Sequence, residues 1–124
     1  MKIRVYYEDT DAGGIVYHTN YIKYCERARS ELLFSKGFSP LDAQQRGFIV
    51  RNINADFLAS STLGDILEVK STTLRVKKSS MVLLQEVFKE DIKVFSMEIL
   101  LVYVDNGKPI RIPEDFKIIF DTLD

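Results

Sequence analysis

Lys93-Val94-Phe95-Ser96-Met97-Glu98-Ile99-Leu100-Leu101-Val102-Tyr103-Val104 is the stretch that decides the fold class. Phe95, Met97, Ile99, Leu101 and Tyr103 fall at every second position, so an extended chain turns them to one face. Three runs of the same character precede it: Phe48–Leu58, Ile66–Val76 and Met81–Lys89, all rich in β-branched and aromatic residues. Ser60-Ser61-Thr62-Leu63-Gly64, Lys77-Lys78-Ser79-Ser80 and Glu90-Asp91-Ile92 separate the runs. These breaks are too short for crossover helices, so the strands should pair antiparallel. Asn106-Gly107 signals a further turn.

Upstream, Thr19–Lys36 spaces Tyr21, Tyr24, Cys25, Ala28 and Leu32 at helical intervals, with Lys23, Glu26, Arg27 and Glu31 mainly elsewhere. The helix should be roughly 25 Å long at ~1.5 Å per residue and stop at Gly37. Ile3–Tyr7 reads as a short strand. Ser39–Arg46 reads as a short second helix, with Ser39 as its cap and Pro40 at its first position. Pro113–Leu123 reads as a terminal helix, with Ile118-Ile119-Phe120 open to an extended alternative. Strands of ten or more residues exceed the usual ~5–6. Such a sheet should curl around the one apolar object long enough to fill it, the first helix. The expected class is α+β: a curved antiparallel sheet of about five strands wrapped around one long helix, as one domain over residues 1–124. Its edge strands would need cover, which dimerisation supplies.

Bulk properties narrow the function. The chain has 124 residues, 17 basic and 18 acidic, and a net charge of −1. The charges are spread along the chain, so no nucleic-acid surface is expected. No apolar run approaches the ~20 residues of a membrane span. Met1-Lys2-Ile3-Arg4 lacks the features of a signal peptide. The single cysteine, Cys25, allows no internal disulfide. The expected compartment is the cytoplasm.

Chemistry concentrates between the first strand and the helix, in Glu8-Asp9-Thr10-Asp11-Ala12-Gly13-Gly14-Ile15-Val16-Tyr17-His18-Thr19. Two acidic motifs fit it poorly. A calcium loop needs Asp or Asn where Gly13 stands and a bidentate Glu where Asn20 stands. An aspartyl-phosphate phosphatase needs a parallel sheet that four serial strands cannot supply. One histidine and one cysteine make a meagre metal set, and none is expected. Gly13 and Gly14 permit close backbone approach to a ligand, and the helix start aims free N–H groups at the same place. Cys25 reads as a small buried side chain, and Tyr17, Tyr21 and Tyr24 as packing groups.

The whole stretch from Arg4 to Tyr21, with Tyr24-Cys25-Glu26-Arg27-Ala28-Arg29-Ser30-Glu31 on the helix, resembles the N-terminal signature of the 4-hydroxybenzoyl-CoA thioesterase family. Within it the stretch is similar to the YbgC branch, the Tol–Pal-associated acyl-CoA thioesterases of bacteria. The resemblance implies the hotdog fold and hydrolysis of an acyl-CoA to a carboxylic acid and free CoA. CoA is then part of the substrate, and no cofactor is expected. Asp11 occupies the family's catalytic position, as nucleophile or general base, and Asp9 is left to shape the loop. A free aspartate, with a pKa of ~3.9, is ionised at neutral pH for either role. His18 and its backbone N–H stand where the family polarises the carbonyl. Tyr7, ending the first strand, can reach the same pocket; Asn20 and Glu26 are further candidates. Arg51 and the Lys77-Lys78-Ser79-Ser80 turn match regions where the family contacts CoA, partly across subunits, as a homodimer or homotetramer. The alternative is a non-catalytic hotdog module that binds acyl groups or an acyl carrier protein.

Overall fold

A computed structural model describes residues 1–123. In chain order it contains β1 (Lys2–Arg4), a single 3₁₀ turn (Tyr7–Asp9), α1 (His18–Ser35), β2 (Arg46–Phe57), β3 (Ile66–Val76), β4 (Ser80–Lys89), β5 (Ile92–Asp105), β6 (Lys108–Pro109) and α2 (Glu114–Asp121). All pairings are antiparallel, in the order β1-β3-β4-β5-β2, with β6 added to the end of β5. β1 and β2 are therefore the sheet edges.

The alternation read in the sequence fills the concave face. Leu67 and Val69 of β3, Met81, Leu83 and Val87 of β4, and Phe95, Met97, Ile99 and Leu101 of β5 are all buried. Their ladder partners coincide, for example Val87 with Phe95 and Leu83 with Ile99, so they share one surface. Each such side chain contributes about 1.5–3 kcal/mol by leaving water. One polar residue stands in the row: Gln85, also fully buried. Register shifts after Val50, Thr73 and Val87 introduce bulges, and bulges bend strands and deepen twist. The sheet curls over α1, which buries Tyr21, Tyr24, Cys25 and Leu33 against it. Tyr21 stacks on Phe95 with ring centroids 5.3 Å apart.

α1 ends as the sequence suggests. Gly37 takes φ +86°, its N–H donates to Phe34 O, and the Phe38 N–H donates to Leu33 O. This paired closure needs a left-handed residue. Asn106 and Gly107 take φ +51° and +81°, the turn that returns β6 onto β5. α2 forms as a helix and not as the extended alternative. Its first turn carries Glu114 and Asp115, favourable at the positive end of a helix. Phe116 and Phe120 close one mouth of the curl against Phe48.

Two expectations need correction. The first strand stops at Arg4 rather than Tyr7, because the Tyr6 N–H is captured by the Asp9 carboxylate at 2.8 Å and the chain turns. Ser39–Arg46 forms no helix. Asp42 Oδ1 accepts the N–H groups of both Gln44 and Arg46 at 2.9 Å, and Oδ2 accepts Arg46 Nε at 2.8 Å. An aspartate that ties up nearby backbone donors offers the chain a turn instead of a helix. Those donated bonds also hold the Asp42 carboxyl below its usual range.

Candidate active site

Asp11 opens a tight hairpin. Thr10 and Val16 bridge each other, the Asp11 N–H donates to Ile15 O at 2.9 Å, and the Gly14 N–H donates to Asp11 O at 3.0 Å. Gly14 sits at φ +80°, where a side chain would be strained. Asp11 Oδ1 accepts the Gly13 N–H at 2.8 Å, which fixes the carboxylate over the turn. Oδ2 has no hydrogen-bond partner among the described residues, and the side chain faces solvent.

The hairpin is pinned from below and behind. Ile15 bridges Thr62, and the Val16 N–H donates to Ser61 O at 2.9 Å. Ser61 is buried, and its Oγ accepts the Tyr21 hydroxyl at 3.0 Å. Asp9 O accepts the Tyr17 N–H at 2.9 Å and Asn20 Nδ2 at 2.8 Å. The start of α1 is thereby folded back to within two residues of Asp11. Asp9 shapes this junction, and the Asn20 amide nitrogen is committed to it. Tyr24 lies buried beneath, its hydroxyl without a hydrogen-bond partner among the described residues. Desolvation, then the nearby Asp9, holds its ionisation above the usual phenol range.

The α1 N-terminus is uncapped. Tyr17 gives no side-chain bond to it, and the N–H groups of His18 and Thr19 find no acceptor among the described residues. Two free donors at the positive end of an eighteen-residue helix suit a developing negative charge. The His18 ring is exposed, 4.5 Å from the Tyr17 ring and 5.6 Å from that of Phe57. Tyr7 does not end a strand: it begins the 3₁₀ turn, and its side chain is 81% exposed. Cys25 is fully buried, and burial pushes its thiol up to about 12. Burial of this kind disfavours a nucleophilic thiolate at neutral pH. Among the described residues no three His, Cys, Asp or Glu side chains converge as a metal site.

The basic turn lies elsewhere. The β3–β4 connection is anchored by the Tyr103 N–H on Ser79 O at 2.8 Å and the Ile112 N–H on Lys78 O at 2.9 Å. Arg51 lines a cavity of about 320 Å³ with Ser79 and Ser80. Lys77 and Ser80 line a neighbouring one of about 280 Å³ with Arg75. The fold thus gathers Arg51, Lys77, Ser79 and Ser80, while Lys78 lines neither cavity. Arg75 is an addition the sequence reading missed. Its signal was the bulge between Thr73 and Arg75, a slip of the alternation that pairing alone reveals. The Asp11 hairpin joins the chain just before β3 and the basic turn follows its end. The two clusters are separated by about 35 Å of strand.

Comparison with known proteins fits this geometry. The model of the thioesterase superfamily matches residues 13–96. The acyl-CoA thioesterase YbgC of Helicobacter pylori is 40% identical, over 99% of this chain and 100% of its own. A probable thioesterase from Bartonella henselae superposes with a TM-score of 0.86 at 28% identity, covering 91% of this chain and 97% of its own. The 1,4-dihydroxy-2-naphthoyl-CoA thioesterase of Synechocystis shares the fold with a TM-score of 0.90 at 21% identity, over 100% and 96% of the two chains. The curled sheet around α1 is the hotdog fold of these enzymes, and the chain belongs to the thioesterase superfamily, among the relatives of YbgC.

Proposed function

We propose that this protein hydrolyses acyl-CoA thioesters to a carboxylic acid and free CoA, as a homodimer in the cytoplasm. The observation that carries the reading is Asp11, with one oxygen held and one free, folded against the uncapped start of α1 in a relative of YbgC. The thioester oxygen sits on the His18 and Thr19 N–H groups, which stabilise the charge it gains. Asp11 Oδ2 then acts in one of two ways. It attacks the carbonyl carbon and expels the CoA thiolate, and water cleaves the resulting mixed anhydride. Otherwise it takes a proton from the water that attacks. His18 steadies the departing sulfur, and Tyr7 assists from the rim.

A second copy of the chain supports the rest. Asp11 is open to solvent in one protomer, and β2 is a twelve-residue edge strand with one side unpaired among the described residues. Long unpaired edges invite pairing. Two copies joined antiparallel along β2 would run in opposite senses. The basic turn of one would then approach the Asp11 end of the other, and Arg51, Arg75, Lys77, Ser79 and Ser80 would hold CoA phosphates by charge-assisted bonds.

Thiol release from a panel of acyl-CoA esters, by the protein and by Asp11→Asn, is the test. The variant keeps the Gly13 bond, so its circular dichroism should be unchanged while kcat falls about 10²–10⁴-fold. An inactive parent protein, or an equally active variant, rejects the assignment. An acyl-binding module would retain esters without releasing thiol. Single turnover in heavy-oxygen water leaves label in Asp11 only if the anhydride forms.

A further inference from the structure

Val50, Ile53 and Phe57 pair across the ladder with Leu101, Ile99 and Phe95, none of which is more than 3% exposed. Partners across a ladder share a face, so all six point to the concave side. Yet Val50, Ile53 and Phe57 remain 47%, 36% and 50% exposed. The cause is the seat of α1, which packs on β3 and β4 and covers the inner face of β2 only in part. This apolar strip starts at Phe57, against the His18 ring. It ends in a cavity of about 280 Å³ walled by Glu26, Arg29 and Ser30 of α1, Phe48 and Val50 of β2, and Phe120 of α2.

Arg29 is the unusual member of that wall. It is half-buried, and among the described residues its guanidinium makes one hydrogen bond, from Nη1 to Gln85 Oε1 at 2.7 Å. No carboxylate lies within 4.0 Å of it among the described residues. Its orientation is fixed from behind. Gln85 Nε2 donates to Cys25 O and to Ser71 Oγ, both at 3.0 Å, and so turns Oε1 towards Arg29. A guanidinium has five N–H donors. Those left over border a cavity of mixed lining in which Glu26 acts on the guanidinium only through space, and a half-buried donor gains when an acceptor arrives.

We propose that this cavity receives the far end of the acyl group, and that Arg29 reads an oxygen acceptor there: a carboxylate, hydroxyl or oxo group on an acyl chain of medium length. The inference rests on the acyl-CoA reading above and adds a substrate class to it. From His18 to Arg29 the helix rises roughly 16 Å, and helical side chains lean back towards the N-terminus. A chain anchored by its carbonyl at His18 reaches the guanidinium along the β2 strip.

The test is kcat/KM for butyryl-, octanoyl-, ω-hydroxyoctanoyl- and ω-carboxyheptanoyl-CoA. The protein should favour one or both oxygenated esters over octanoyl-CoA by about tenfold, the worth of a bond to a charged group. Their ranking tells whether charge or simple acceptance is read. Arg29→Met should abolish the preference and leave butyryl-CoA unchanged. Ser30→Leu fills the same cavity with Arg29 intact, and should slow all three longer esters while sparing butyryl-CoA. No preference in the parent protein, or an equal loss on butyryl-CoA in both variants, overturns the proposal. Failure to release thiol from any ester removes the acyl-CoA reading and this one with it.

Discussion

Gln85→Leu gives the sharpest test of how the core holds Arg29. Leucine matches the row of Met81, Leu83 and Val87 and fits the volume, but it removes three hydrogen bonds. The bond from the Arg29 guanidinium is charge-assisted and worth about 1.5–3 kcal/mol; the one to Ser71 is neutral and worth about 1 kcal/mol. Cys25 O keeps its acceptor role within α1, so its loss adds little. The buried leucine returns part of the cost, for a net destabilisation of about 2–3 kcal/mol. Urea unfolding followed by far-ultraviolet circular dichroism reads this directly. With a slope of about 1–3 kcal/mol per molar urea, the midpoint should fall by roughly 0.7–3 M. Protein concentration must be fixed, because association shifts the midpoint by mass action. The same substitution in an Arg29→Met background should cost at least about 1 kcal/mol less, since contacting residues couple. An unchanged midpoint, or strict additivity of the two changes, refutes the idea that Gln85 holds the half-buried Arg29 cation.

Gly47→Ala should destabilise the fold by about 1–3 kcal/mol, because an added Cβ would stand 2.4 Å from Pro40 O; a melting temperature equal to the parent's contradicts this. Cys25, with its thiol pushed up to about 12, should resist alkylation in the folded protein at pH 8 and react freely in denaturant. Its folded value exceeds the unfolded ~8.5, so ionisation favours the unfolded chain. Stability should therefore decline as pH rises above that unfolded value, and Cys25→Ala should blunt the decline in pH-dependent melts. Arg51→Ala with Lys77→Ala should raise KM for acyl-CoA far more than for a truncated pantetheine thioester, and equal effects on both substrates would discount the CoA assignment.

The sequence discloses what periodicity and punctuation encode. The alternation from Phe95 to Tyr103, the helical face of Tyr21, Tyr24 and Cys25, and the stop at Gly37 all follow from local rules, and each appears in the fold. The segment from Asp11 to His18 is legible because its chemistry is contiguous in the chain. Where a side chain competes with the backbone for hydrogen bonds, local reading fails. Asp42 unmade the helix expected after Ser39, and Asp9 cut the first strand short. Relations across the sheet are illegible for a different reason. Gln85 stands in phase with Met81, Leu83 and Val87, but the Arg29, Cys25 and Ser71 groups it joins come together only in the fold, and Arg29 becomes notable only when no carboxylate is found beside it. Arg75 joins the basic cluster through a bulge that no single strand declares.

The extra residue at Arg51 has a consequence of its own. Val50 faces Leu101 and Asn52 faces Leu100, so Arg51 is skipped by the ladder. Strand positions have parity, and here the parity changes midway. Phe48 and Val50 point inward on even numbers; Ile53, Ala55 and Phe57 point inward on odd ones. An uninterrupted strand would carry Asn52, Asn54 and Asp56 into the apolar strip and turn Ile53 and Phe57 out. Substituting Arg51 therefore changes one side chain, and deleting it would keep Asn52 opposite Leu100 and the six that follow on their present faces while removing the bend. What this position contributes is the bulge itself, which bends β2 and carries the inward alternation from even to odd numbers.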